Sequence, residues 1–144
     1  MAEANKHTIH VDIVSAEGEI FSGAATMVFA PGSQGELGIA PRHAPLLTLL
    51  KAGEVRVQLP EGGEQSFYVG GGALEVQPKK VTVLADTAAR AKDLDEAKAQ
   101  EAKLRAEEAL KGNIDKVEQA EALAELVRAV AQLKMLEKLR KLRG

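Results

Sequence analysis

Three histidines come nearest to a catalytic or metal-binding pattern in residue type and spacing. His7 and His10 would make a metal-ligand pair, but residues three positions apart on a strand point to opposite faces. We therefore predict that both are surface or core histidines rather than ligands. His43 follows Pro41-Arg42 in a loop, where side chains often make functional contacts. The chain contains no Cys, which excludes thiolate catalysis and cysteine-ligated metal centres.

The serines and glycines form no known catalytic or phosphate-binding motif. No Ser lies in a Gly-x-Ser-x-Gly elbow. Residues 32–38 are rich in Gly but match neither the dinucleotide fingerprint nor the phosphate loop. Gly70-Gly71-Gly72 lies between strand signals and predicts a bulge or a close backbone approach. The motifs therefore give no support to an enzyme and favour an interaction module.

The overall composition narrows the classes of partner. The net charge is -2 and aromatic residues are few, so we expect no nucleic-acid partner. No apolar run is long enough to span a bilayer and no signal sequence opens the chain, so we expect no direct membrane insertion. The protein is expected to be soluble, or to reach a membrane only through partners.

The composition divides the chain into residues 1–86 and residues 87–144. The first part holds all five Pro, every aromatic residue and 11 of the 13 Gly. Short alternating runs such as residues 9–13 and 54–59 are separated by Gly and Pro turns. We predict an all-β N-terminal sandwich or flattened barrel of about 8–10 short strands, with Pro60–Gly63 as a hairpin loop.

The second part predicts two helices folded back as an antiparallel hairpin. They are expected over about 93–111 and 115–142, with Gly112-Asn113 as C-cap and turn. A connection this short places consecutive helices antiparallel. Each helix start carries a capping box. The two boxes are Asp93 with Glu96 and Asp115 with Glu118.

The second helix carries two apolar stripes and a basic end. The small-residue stripe is expected to form a close but weak seam, because Ala buries little area. It comprises Val117, Ala120, Ala124, Val127 and Ala131. The bulkier stripe comprises Leu123, Leu126, Val130 and Leu133. That stripe packs on the sandwich or on another protein, and periodicity alone favours the sandwich. The basic end complements the helix dipole or meets an acidic partner.

Several sequence blocks carry a likeness to a known family. The blocks are Val14-Ser15-Ala16-Glu17, Gly35-Glu36-Leu37-Gly38-Ile39, His43-Ala44-Pro45-Leu46-Leu47-Thr48, Gly71-Gly72-Ala73-Leu74-Glu75-Val76-Gln77-Pro78 and Leu94-Asp95-Glu96-Ala97. In this order they resemble the epsilon subunit of bacterial F-type ATP synthase, over essentially the whole chain. That family has the same architecture, a sandwich followed by a helical hairpin.

The resemblance implies a non-catalytic part of the rotor, peripheral to the bacterial inner membrane on its cytoplasmic side. In the family the sandwich binds the gamma subunit and touches the polar loops of the c-ring. Glu36 and His43 match positions in the loops that face the ring. Without the resemblance, Glu36 between two glycines would be a plain turn residue.

For the hairpin, the resemblance implies a regulator that extends along gamma into the alpha/beta headpiece and inhibits ATP hydrolysis. The expected headpiece contacts are Leu126, Val130, Leu133, Lys134, Lys138, Arg140 and Lys141. Two alternatives stay open. One is a purely structural coupling subunit whose hairpin never extends, and the other is a stand-alone sandwich interaction module.

Some family members bind ATP on the folded hairpin through an Ile/Leu-Asp-x-x-Arg-Ala motif. The match here is Leu94-Asp95-Glu96-Ala97-Lys98-Ala99, and Arg128 matches a further basic position. Lys98 replaces the Arg of the motif and lacks its planar bidentate fork. Ala89 and Gln132 stand where tight-binding members have an acid and a second Arg. We therefore expect ATP binding to be weak or absent, and we expect no other cofactor and no metal.

Overall fold

The structure is a computed structural model that describes residues 7–143, with side chains up to Leu142. Eight strands precede two helices, so the predicted order of β elements followed by a helical hairpin is confirmed. The strands are β1 Ile9–Ser15, β2 Gly18–Ala25, β3 Met27–Gly32, β4 Gly35–Ile39, β5 Leu46–Gln58, β6 Glu64–Val76, β7 Lys80–Ala85 and β8 Ala88–Arg90. A 3-10 turn at Ala91–Asp93 leads to α1 at Glu96–Lys111 and α2 at Lys116–Arg143.

The strands form one sheet that folds over on itself as a sandwich. Neighbours follow the order β2-β1-β7-β6-β5-β3-β4, and β8 pairs with β6. The β1–β7 pair is parallel and the others are antiparallel. β6 pairs with β8 through its first half and with β7 through its second half. The long strands β5 and β6 therefore belong to both layers.

Alternation along each strand sends one set of side chains into a single core. In β1, Ile9, Val11 and Ile13 are buried while His10 and Asp12 point outward. Inward residues of the other strands complete the cluster. They include Val28, Ile39, Val55, Val57, Phe67, Leu74, Val76, Val81 and Val83. Because each buried Val, Leu, Ile or Phe contributes roughly 1.5–3 kcal/mol, this cluster is the main source of sandwich stability.

Glycine and proline residues form a turn and a close backbone contact at the positions that the sequence predicted. Pro60–Gly63 forms the predicted hairpin loop between β5 and β6, closed by the Leu59 N–H, which donates to the Gly63 oxygen at 3.0 Å. Gly72 on β6 has a φ of +135°, and a Cβ there would lie 2.1 Å from the Leu84 carbonyl oxygen. This is the close backbone approach that the run of three glycines predicted.

The sandwich unit extends further than the predicted first domain of residues 1–86. The compact unit ends at Ala91, because β8 adds a short strand to β6. The Arg90 guanidinium fixes this strand: it donates to the Ile20 carbonyl at 2.8 Å and to Gln65 Oε1 at 3.3 Å. Composition changes before the sheet ends, since β8 contains neither Gly nor an aromatic residue.

Both helices begin at an aspartate. Asp95 caps α1 and accepts a hydrogen bond from the Lys98 N–H at 3.2 Å. Asp115 caps α2 and accepts from the Glu118 N–H at 2.8 Å, as predicted. The predicted cap at Asp93 is wrong by two residues, because that residue ends the 3-10 turn.

The helices are joined by the predicted tight turn. The Gly112 N–H donates to the Ala109 carbonyl at 3.2 Å and ends α1. The next helix starts at Lys116 and packs back on α1. Neither α1 nor α2 is both long enough and apolar enough to cross a membrane.

The seam between the helices is made mainly of small residues, but not of the predicted ones. The buried members are Ala99, Ala106, Ala122, Ala129 and Met135. In the predicted stripe, by contrast, Val117 and Val127 are exposed. Because Ala occurs on several faces of α2, the 3.6-residue period alone could not identify the row that is buried.

Candidate interaction surfaces

Glu36 is the second residue of β4 and follows the turn between β3 and β4. Its carboxylate accepts a hydrogen bond from Arg56 Nη2 on β5 at 3.3 Å. The Arg56 guanidinium also lies 4.3 Å from the ring centroid of Phe29 and, through Nη1, 3.5 Å from Glu64 Oε2. The Glu36 side chain is 60% exposed, so Arg56 positions the carboxylate and leaves it accessible.

His43 lies in the loop between β4 and β5. Its Nδ1 is 2.7 Å from the Ala44 carbonyl oxygen, and because a carbonyl only accepts, Nδ1 carries the donated hydrogen. Among residues 7–143, no hydrogen bond occupies Nε2. The neighbouring Arg42 has a φ of 67° and its N–H donates to the Pro78 carbonyl at 2.9 Å. The β6–β7 turn therefore holds this loop in place.

The two predicted ring-facing residues do not share a set of partners. Within the part of the chain that the structure describes, no hydrogen bond or ion pair joins Glu36 to His43. Each side chain is positioned by different neighbours and presents a separate polar group. Their contact with the c-ring stays a prediction.

Sequence reasoning missed an apolar row on the outer face of the sandwich. Leu49 on β5 lies opposite Ala73, Ala73 opposite Leu84, and Leu84 opposite Val14 on β1. Leu47 lies two residues before Leu49, on the same face. Leu47, Leu49 and Leu84 are 74%, 66% and 52% exposed. These five residues form what we call the outer apolar row.

A sequence signal for this row was available. Residues 46–50 read Leu-Leu-Thr-Leu-Leu, so apolar side chains occupy both faces of one strand. A strand with only one buried face should alternate apolar and polar residues. The broken alternation therefore indicated a second face that is covered by something other than the sandwich core. Contiguous exposed apolar side chains of this kind mark interaction surfaces.

A polar cluster borders the outer apolar row on the same face. Asp12 Oδ1 accepts from Ser22 Oγ at 2.7 Å and from His10 Nε2 at 2.9 Å. Asp12 Oδ2 lies 3.1 Å from Lys80 Nζ. The Ser22 hydrogen bond, with those of His10 and Lys80, lowers the pKa of Asp12 to about 2 despite the opposing effect of desolvation. Strand pairing brings these residues together from three strands.

Serine, histidine and aspartate in this cluster do not form a catalytic triad. A triad needs the imidazole between the other two, with one ring nitrogen for each. Here Nε2 of His10 faces both Asp12 and Ser22, which bond each other directly. Nor do three or more potential metal ligands converge anywhere in residues 7–143. His7 lies before β1, so the predicted opposite-face pair on one strand does not occur.

The Asp12→Asn variant is expected to lose about 1–2 kcal/mol of stability at pH 7. A carboxylate whose pKa is depressed in the folded state stabilises the fold above its unfolded pKa. That contribution disappears as pH falls from about 4 towards 2. Urea unfolding followed by circular dichroism should therefore show a gap between wild type and variant at pH 7 that narrows by pH 3.

Glu19→Gln on β2 serves as the matched control for Asp12→Asn. Glu19 is an exposed carboxylate with no hydrogen bond or ion pair among the described residues. Its replacement should change stability little at any pH. Equal unfolding midpoints for Asp12→Asn and Glu19→Gln at pH 7 would contradict a stabilising role of the Asp12 cluster.

The residues predicted for ATP binding lie around the start of α1 and along α2. The Asp95 carboxylate already caps α1 through the Lys98 N–H. Ala99 is buried in the helix seam, and Leu94 and Arg128 are half-buried. Lys98 is the exposed cation of the set. A groove on the hairpin has other walls, namely Gln100, Lys103, Leu104, Glu107 and Leu133.

The bulkier stripe of α2 is partly accessible. Val130 is exposed, whereas Leu126 and Leu133 are half-buried. Leu123 of the stripe is exposed too, as are large apolar side chains elsewhere on the hairpin. They include Leu104, Val117 and Val127. The hairpin therefore keeps apolar surface that another protein could cover.

The basic end of α2 is exposed but is engaged in ion pairs. Lys134, Lys138, Arg140 and Lys141 are all exposed. Lys141 Nζ lies 3.4 Å from Glu137 Oε1. Arg140 Nη2 donates to Glu96 Oε2 on α1 at 2.6 Å. An acidic partner would therefore compete with acids of the hairpin itself.

Two family models match the chain in succession. Residues 8–91 match the ATP synthase delta/epsilon chain β-sandwich domain. Residues 92–137 match the ATP synthase delta/epsilon chain long alpha-helix domain. The border between the matches coincides with the border between the two compact units.

Individual proteins give the same picture. The chain is 63% identical over 137 residues to the ATP synthase epsilon chain of Nitrosococcus oceani, covering 95% of this chain and 98% of that one. It is 64% identical over 135 residues to the ATP synthase epsilon chain 1 of Methylococcus capsulatus, covering 93% and 96%. Among solved structures, the fold is similar to a chain of the Euglena gracilis mitochondrial ATP synthase, OSCP/F1/c-ring in rotational state 1. That match has a TM-score of 0.69 at 17% identity and covers 95% of this chain and 82% of the other.

Proposed function

This chain belongs to the ATP synthase delta/epsilon chain family, as an epsilon chain, and from that membership we propose a non-catalytic rotor subunit in the central stalk of an F-type ATP synthase. The observation that carries the proposal is the ordered match of both compact units to the two domains of the family. The sandwich is the docking domain for the gamma subunit and the c-ring. The hairpin regulates the alpha/beta headpiece.

The outer apolar row is the surface that we assign to gamma. Burying a Leu side chain contributes roughly 1.5–3 kcal/mol, so three exposed leucines on β5 and β7, the two strands that flank β6, favour a protein partner. The adjoining cluster of His10, Asp12, Ser22 and Lys80 supplies a polar rim. An apolar centre with a polar rim is the usual anatomy of a protein interface.

Glu36 and His43 are the groups that we assign to the polar loops of the c-ring. The Glu36 carboxylate is held by Arg56 and remains exposed. The His43 ring is fixed through Nδ1 and offers Nε2. Fixed polar groups on a Gly- and Pro-shaped edge suit contacts between loops, because little side-chain freedom is lost on binding.

Inhibition of ATP hydrolysis is the function that we assign to the hairpin. Its Ala seam buries little apolar area, and Val130 and several other apolar side chains are exposed. A marginally closed hairpin with spare apolar and cationic surface can exchange internal contacts for contacts with a partner. The headpiece contacts would be Leu126, Val130, Leu133, Lys134, Lys138, Arg140 and Lys141.

The test compares the full chain with residues 1–91 on an alpha, beta and gamma complex stripped of this subunit. A cut after Ala91 keeps β8 paired with β6, whereas a cut after residue 86 would remove that strand. We expect both forms to bind gamma with similar affinity. Only the full chain should slow ATP hydrolysis, by several-fold, because the inhibitory contacts lie on the hairpin.

Two other outcomes would change the assignment. Binding of both forms without any slowing would favour the structural coupling subunit, whose hairpin only braces the stalk. Failure of both forms to bind gamma, with the sandwich folded, would contradict the docking role and favour a stand-alone interaction module.

ATP binding by the hairpin is proposed to be weak or absent. Asp95 is engaged as a helix cap, and Lys98 cannot make the bidentate phosphate contact of Arg. Titration of the full chain with ATP should give no saturable chemical-shift change around Asp95 at micromolar nucleotide. A saturable change there would contradict the proposal.

The site of action that we propose is the cytoplasmic face of the bacterial inner membrane. The two relatives described above are bacterial epsilon chains. The subunit would be peripheral, held through gamma and the c-ring rather than inserted into lipid.

A further inference from the structure

Two ion pairs cross the seam of the hairpin at different heights. Arg105 on α1 meets Glu125 on α2, with 3.1 Å between Nη2 and Oε1. Arg140 on α2 meets Glu96 on α1, with 2.6 Å between Nη2 and Oε2. Glu96 is the first residue of α1, so the second pair closes the end of the hairpin opposite the turn at Gly112. The Glu96 carboxylate also raises the pKa of the Arg140 guanidinium above its ordinary value.

Few fully buried side chains hold the two helices together, although Leu133, Leu136 and Leu139 of α2 are half-buried. The buried seam consists of four alanines and Met135, and only Met135 is large. Since hydrophobic stabilisation scales with buried apolar area, an Ala seam contributes far less than a Leu seam of the same length. Because the fully buried apolar area of the seam is small, a single cross-helix ion pair makes up an appreciable share of the free energy that favours the closed hairpin.

We propose that the Glu96–Arg140 ion pair is a latch that keeps the two helices of the hairpin together. The geometry of the ion pair is independent of the proposed regulatory function. Only its consequence for binding to the headpiece rests on that function. Arg140 is also one of the residues assigned to the headpiece, and its guanidinium faces Glu96 in the closed form. Headpiece carboxylates therefore compete with Glu96 for Arg140, so that binding the headpiece and opening the hairpin become coupled.

The ion pair is exposed to water and can therefore break and form again readily. Its side chains are 65% and 44% exposed, and exposed ion pairs typically shift an equilibrium about two- to fivefold. A buried pair would make opening far rarer. Because water screens the pair, raising the salt concentration should open the wild-type hairpin more than a variant that lacks the latch.

The experiment measures hairpin opening directly in the full chain. The natural sequence has no Cys, so Gln100→Cys on α1 and Leu142→Cys on α2 provide two unique sites for spin labels. Both positions are exposed and lie towards the open end. Pulsed distance measurements then give the fraction of open molecules for the parent, Glu96→Gln, Arg140→Gln and the double variant.

A latch predicts a specific pattern of populations. Each single variant should raise the open fraction about two- to fivefold, and the double variant should open no further, because either change already breaks the pair. Glu101→Gln, which removes an exposed α1 carboxylate without an ion pair among the described residues, should change nothing. Additive effects, unchanged distances, or an equal effect of Glu101→Gln would overturn the latch.

Hydrolysis assays separate the latch from the function it would serve. Glu96→Gln leaves Arg140 free for the headpiece and should strengthen inhibition, whereas Arg140→Gln removes the contact and should not. Opening of the hairpin in both variants without any change in hydrolysis would support the latch and contradict the regulatory role. Unchanged distances would overturn the latch. The regulatory role would then be decided by the comparison of the full chain with residues 1–91 alone.

Discussion

Gly72→Ala should destabilise the sandwich by about 3–5 kcal/mol, enough to leave much of it unfolded at physiological temperature. A Cβ at this position would lie 2.1 Å from the Leu84 carbonyl oxygen, a backbone atom that cannot rotate away. The φ of +135° is itself strained for any residue with a side chain. Relief would require β6 and β7 to separate, which would disturb the core on both strands.

Urea unfolding of the full chain, followed by circular dichroism, measures this loss. Gly63→Ala is the matched control, since Gly63 also has a positive φ of 88° but a Cβ there meets nothing within 4 Å. The free energy of unfolding of Gly63→Ala should fall by only about 1 kcal/mol, the cost of placing a side chain on this backbone conformation. Similar midpoints for the two variants would show that the β6–β7 contact is not as tight as described.

Leu49→Asp should weaken binding to gamma by about 100-fold while leaving the fold intact. Leu49 belongs to the outer apolar row, beside Leu47 and opposite Ala73, and is 66% exposed, so the free subunit gains an accessible charge at little cost. In the complex the carboxylate would be desolvated against apolar atoms without a partner. Titration calorimetry with an alpha, beta and gamma complex measures the loss.

Leu104→Asp on the hairpin is a matched control for this experiment. Leu104 is 64% exposed, so the chemical change and the change in accessible surface are nearly the same. It should bind gamma through the sandwich as tightly as the parent does. If Leu49→Asp binds normally, or if both variants lose affinity equally, the outer apolar row is not the gamma surface.

The features predicted well from sequence are those set by local chemistry. Alternation in β1 identified its buried side chains, and Asp115 marked the start of α2. The glycine run correctly indicated a close backbone approach. Each of these signals depends on a few neighbouring residues and on strong conformational preferences of Gly, Pro and Asp.

The features that escaped prediction depend on pairing across the chain or on small energy differences. The Asp12 cluster exists only because β2 and β7 flank β1, which no local pattern specifies. The buried Ala row of α2 differs from its neighbouring rows by one or two side chains, so hydrophobic periodicity could not select it. Asp93 and Asp95 are equally good caps by type, and the 3-10 turn decided between them.

The hydrogen bonds of Arg90 limit the distance from the sandwich that the hairpin can reach. Since β8 is hydrogen-bonded to β6, the hairpin begins only after this residue. With a rise of 1.5 Å per residue, α1 carries the turn about 24 Å away from its own start, and α2 runs back from there while the hairpin is closed. Helices laid end to end would span about 66 Å, about 24 Å for α1 and about 42 Å for α2. A partner surface between about 24 Å and about 66 Å from the start of α1 could therefore be touched by the end of α2 only with the two helices separated, as the proposed extension of the hairpin requires.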